Sequence, residues 1–210
     1  MMISDPGTRA RQTASLLLNL AVAVLSAVGT VLSYAHNGAA MLRFYTVDSN
    51  LFAMLACLVY AVFLLRQLTG GKPVPVWAAM AKYMAVCCLG VTFVVVVAVL
   101  APMYGLQGYR MMLFSGDMLY HHFLCPVLAA LSFFLFDRVP LPARRAARIA
   151  LLPTALYAAV LVLLNLTKAV VGPYPFLMVY RQPVWASCLW CGLILGGAYG
   201  LARLLARRRA

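Results

Sequence analysis

Two short runs in this 210-residue chain gather side chains that could do chemistry. The first is Arg43-Phe44-Tyr45-Thr46-Val47-Asp48-Ser49-Asn50. The second is Ser115-Gly116-Asp117-Met118-Leu119-Tyr120-His121-His122-Phe123-Leu124-Cys125-Pro126. A threonine hydroxyl is a weak nucleophile until a placed base takes its proton, and a near-neutral imidazole suits that work. On a helix, Thr46 and Asn50 share a face, as do Asp117 and His121. An acid one turn before a histidine can orient its ring. Adjacent histidines diverge by about 100° on a helix, so one can be structural while the other works. Each group also has a plainer reading: Thr46 as a helix cap, a histidine as a helix–helix bridge, Asn165 as a polar contact between helices.

Such groups matter only where the chain holds them, and the composition says where that is. The chain is 65% hydrophobic and 10% charged, with mean hydropathy +0.94. Six apolar stretches run roughly Thr13–Ala35, Thr46–Leu65, Met80–Met103, Asp117–Phe136, Ala147–Leu166 and Val184–Leu205. Most reach the ~20 residues a spanning helix needs, and they lack the alternation of barrel strands. In lipid the backbone must satisfy itself, which makes these stretches helices. The fold class expected is therefore all-α, a polytopic membrane protein with six transmembrane helices in one domain over residues 1–210. The first stretch exceeds a signal-peptide core and reads as a retained anchor.

Orientation follows from lysine and arginine. Arg9 and Arg11, then Arg66, Lys72 and Lys82, then Arg138, Arg144, Arg145 and Arg148, then Arg203 and Arg207–Arg209 fall on one side. Arg43, Arg110, Lys168 and Arg181 fall on the other. The positive-inside rule then puts both termini in the cytoplasm, in a cell membrane. Topology brings Thr46, Asp117, His121, His122, Asn165 and Lys168 near the opposite leaflet. Pro126 leaves the His122 carbonyl without its helical donor, which opens space for a site. The Gly172-Pro-Tyr-Pro175 run cannot be regular helix and is expected to fold back over that face.

Several classes are excluded or disfavoured. The net charge of +13 sits between apolar spans, so membrane lipid is the expected partner and nucleic acid is not. Three histidines and four acids do not make the usual haem or metal sets, and no H-E-x-x-H, G-x-S-x-G or P-loop occurs. No metal and no cofactor are expected. Cys188-Leu-Trp-Cys191 lies in a span and reads as packing.

Arg43-Phe44-Tyr45-Thr46, continued as Thr46-Val-Asp-Ser49-Asn50, resembles a motif of the androgen-induced and androgen-dependent TFPI-regulating membrane proteins, and of their bacterial relatives. His122-Phe-Leu-Cys-Pro126 and Tyr174-Pro-Phe-Leu177 are similar to further segments of that group, in the same order. The resemblance implies an intramembrane threonine hydrolase of a bacterial inner membrane, acting on a fatty-acyl ester. It implies Thr46 as nucleophile and His122 as base, while the spacing to Pro126 in the eukaryotic members would select His121. Candidates for the oxyanion are Asn50, Arg43 and Lys168, with Asp117 and Asn165 also near the substrate. Two other readings stand beside it. One is an acyltransferase using Cys125 beside a histidine. The other is a non-catalytic transporter or lipid-binding accessory protein. The sequence leaves the oligomeric state open.

Overall fold

The computed structural model describes residues 6–207. It is all-helical, with no strand among the described residues. Among these residues six helical segments are long and apolar enough to cross a membrane: Thr8–Arg43, Tyr45–Leu68, Val76–Phe114, Gly116–Phe136, Ala143–Leu166 and Val184–Arg207. This is consistent with a multi-pass membrane protein. An even number of crossings returns the chain to the face where it began, called here the terminal face.

The distribution of side chains explains why the bundle holds. Large apolar residues such as Leu17, Val31, Leu156 and Leu163 point outward, while Ser26, Asn19, Asn50 and Asn165 are fully buried. Helices in lipid gain little from burying leucine, so small and polar residues do the packing. Helix α1 (Pro6–Asn37) presents Ser15, Asn19, Val22, Ser26 and Ser33 inward, near helical spacing. It packs against α2 (Tyr45–Leu68). The main core joins Val22, Ala53, Cys57, Tyr83, Leu89, Cys125, Phe133, Ala146 and Ala202, drawn from all six crossing segments.

Near the terminal face, Lys82 of α3 (Val76–Val95) is 2.6 Å from Asp137 and donates to Ser132 Oγ at 2.9 Å. Its ammonium lies 4.4 Å from the Tyr60 ring centre. The charge pattern counted Lys82 among loop cations. The structure instead buries it inside the bundle, paired because an isolated ammonium could not be held there.

At the opposite face the third crossing segment does not end at Met103. A π-helical turn (Val96–Leu100) and a 3₁₀ turn (Ala101–Tyr104) lead to Gly105, whose φ of 63° suits glycine, and the chain turns into α4 (Gly105–Phe114). The fourth crossing segment is composite. It comprises α5 (Gly116–Met118), a π-helical turn (Leu119–Leu124) and α6 (Cys125–Phe136). Helix α7 (Ala143–Leu166) ends before Lys168, which has φ 58°. The loop beyond folds back as expected. Phe176 and Leu177 are buried against Leu161, Trp190 and Ile194, the last two on α8 (Val184–Arg207).

Candidate active site

Thr46 is the second residue of α2, and the chain enters that helix through Phe44 in an extended conformation. The entry is pinned from α7. The Tyr157 hydroxyl accepts the Tyr45 N–H at 3.0 Å and donates to the Arg43 carbonyl at 2.7 Å. Tyr45 and Thr154 hydroxyls bond at 2.7 Å. Thr46 makes no side-chain cap to its own helix. Its hydroxyl faces the fourth crossing segment instead.

There the π-helical turn changes which backbone groups are free. The Cys125 N–H bonds to the Tyr120 carbonyl, five residues back. In that register the donor due to the His121 carbonyl is residue 126, a proline with no N–H. Asn50 supplies the missing donor: its Nδ2 reaches the His121 carbonyl at 3.2 Å and the Thr46 carbonyl at 2.8 Å. The freed carbonyl is thus that of His121, one residue from the α-helical expectation. Asn50 ties the two runs of reactive residues together, and both hydrogens of its amide are engaged.

The π-helical turn directs the two histidines differently. His122 Nε2 lies 3.1 Å from Thr46 Oγ, and its Nδ1 lies 2.7 Å from the Met112 carbonyl on α4. A carbonyl only accepts, so Nδ1 carries the proton and Nε2 offers its lone pair to the threonine O–H. The ring is oriented by a backbone carbonyl rather than by Asp117. His121, 1% exposed, packs against α1 at Gly29, where an added Cβ would meet its Cε1 at 2.9 Å.

Two cavities meet at Thr46. One, about 50 Å³, is walled by Val91, Val95, Leu100, Phe176, Ile194 and Leu195. The other, about 300 Å³, is lined by Asp117, His121 and His122 together with Phe44, Met103 and Met111. Thr46 and Tyr174 line both.

The structure therefore brings Thr46, Asn50, Asp117, His121 and His122 together. Arg43 and Lys168 are exposed and line neither cavity. Asn165, fully buried, works inside its own connection: its amide donates to the Gly172 carbonyl at 2.8 Å and accepts the Gly172 N–H at 3.2 Å. Cys125 accepts a hydrogen bond from Ser26 at 3.4 Å and lines neither cavity. Sequence reasoning missed the Met112 carbonyl, which depends on α4 folding back, and the part played by Tyr157, whose position inside an apolar span carries no local signal. Among the described residues no group of three or more His, Cys, Asp or Glu side chains is placed to hold a metal. Compared with known protein families, curated proteins and solved structures, the chain matches none.

Proposed function

We propose that this protein is an intramembrane lipid-ester hydrolase with Thr46 as nucleophile and His122 as general base. One observation carries the reading: His122 Nε2 stands 3.1 Å from Thr46 Oγ while Nδ1 is held by the Met112 carbonyl. That is the arrangement of an activated hydroxyl, with nucleophile, base and orienting acceptor in line. The Thr46 oxygen attacks the ester carbonyl carbon as its proton passes to His122 Nε2. Collapse of the tetrahedral intermediate breaks the bond to the alcohol, which leaves with that proton. Water, deprotonated in turn by His122, attacks the acyl-threonine and releases the carboxylic acid. A placed base of this kind contributes about 10²–10⁴-fold.

The apolar walls beside Thr46 favour an acyl substrate drawn from lipid. The resemblance to the TFPI-regulating hydrolase family and its bacterial relatives points the same way. We place the protein in a cell membrane, that of a bacterial inner membrane by the same resemblance. Both termini are cytoplasmic, on the strength of the loop cations other than Lys82, so that Thr46 belongs to the outer leaflet.

The test is turnover of a fluorogenic fatty-acyl ester by the purified protein in detergent. Wild type is expected to hydrolyse it, and Thr46→Ala to fall to background. Hydrolysis by Thr46→Ala at the wild-type rate would remove the assignment.

A further inference from the structure

The start of α2 offers more than a hydroxyl. The first N–H groups of a helix have no carbonyl one turn back to bond. Here the Tyr45 N–H is taken by the Tyr157 hydroxyl at 3.0 Å, and the next N–H is that of Thr46 itself. The phenolic end of Tyr174 is turned inward to this point. It lies beside Thr46 and the Tyr157 hydroxyl, and Tyr174 and Thr46 wall the same two cavities. Burial pushes the Tyr174 phenol above its ordinary value, so it remains a neutral O–H donor.

Tyr174 is also firmly placed. Its ring stacks on Phe176 with centroids 5.2 Å apart and planes 2° from parallel. Phe176 packs in turn on Trp190 of α8. Two residues before Tyr174, Gly172 is held on both its backbone groups by the Asn165 amide. The two cavities at Thr46 share Tyr174 as a common wall.

Resting on the hydrolase reading, we propose that the oxyanion is held between the Thr46 backbone N–H and the Tyr174 hydroxyl, and that Tyr174 parts the acyl chain from the leaving alcohol. As the Thr46 oxygen bonds to the ester carbon, the carbonyl π pair moves onto its oxygen. That oxygen takes hydrogen bonds from the Thr46 N–H, at the positive end of the α2 dipole, and from the Tyr174 O–H. The first carbons of the acyl chain enter the small apolar cavity walled by Val91 and Leu195. The alcohol leaves on the Asp117 and His121 side, where the larger cavity admits a polar group. Asn165 is a positioning residue acting through the loop.

The experiment is a kcat and KM comparison on the full-length protein in detergent with the fluorogenic ester. Tyr174→Phe keeps the stacking ring and removes one donor, so kcat is expected to fall about 10²–10³-fold with KM within about threefold. A kcat within about threefold of wild type overturns the proposal, as does a change confined to KM. If Tyr174→Phe shows no folded, monodisperse protein, Asn165→Ser is read instead. It leaves the phenol but frees the loop, and is expected to lower kcat at least tenfold without raising KM, unchanged kcat again being the overturning result. Absence of Thr46-dependent turnover in wild type would sink the hydrolase reading and this one with it. Turnover undiminished in both variants would sink only this one.

Discussion

His122 Nε2 meets Thr46 Oγ at 3.1 Å, across 76 residues of sequence and between two different helices. The other ring nitrogen is fixed by the Met112 carbonyl at 2.7 Å, which sets the tautomer a general base requires. His122→Gln keeps a polar side chain but not the imidazole. It is expected to lower kcat for the acyl ester by about 10²–10⁴-fold, measured as initial rates in detergent. A rate within tenfold of wild type would mean that the contact is only a helix bridge.

His121 has a different duty. Its ring fills the space left by Gly29, where a Cβ would stand 2.8 Å from Tyr120 Cβ and 2.9 Å from His121 Cε1. Gly29→Ala must displace the π-helical turn, and overpacking of this kind costs about 1–3 kcal/mol. A lowered melting temperature and a lower kcat are expected together, since the same turn aims His122. His121→Gln is expected to retain kcat within about tenfold. A loss equal to that of His122→Gln would make both histidines part of the chemistry.

The sequence made the six apolar segments legible because each span is long and nearly free of charge. It also brought Thr46 and the His pair to one leaflet. What it could not show was the register at Pro126. A proline frees one carbonyl, but only the π-helical turn makes it that of His121, and only then is the role of Asn50 visible. Asn165 looked like a contact between helices, whereas it clamps a backbone only seven residues away. Arg43 and Lys168 lay near the right leaflet yet are exposed, since a long cationic side chain at a helix end reaches outward to water.

At the other end of the bundle Lys82 and Asp137 depend on each other for their burial, at 2.6 Å. Removing one partner leaves a buried charge behind, at a cost of about 3–5 kcal/mol. Asp137→Ala should therefore unfold at clearly lower denaturant than wild type, and Lys82→Met with Asp137→Leu should recover most of the loss. An unchanged midpoint in Asp137→Ala would show that the pair contributes nothing.

Orientation is checked by fusing a green fluorescent protein or an alkaline phosphatase to the C-terminus. The fluorescent fusion is expected to light up and the phosphatase fusion to stay inactive. The reverse pattern would place Thr46 in the inner leaflet.

An activated Thr46 hydroxyl is the centre of the proposed chemistry. The direct measurement is to treat the purified protein with an alkyl fluorophosphonate and locate the adduct by peptide mass spectrometry. The adduct is expected on Thr46, and is expected to be lost in His122→Gln while persisting in His121→Gln. A wild-type protein that stays unmodified at Thr46, or that is modified at Cys125 instead, would contradict it.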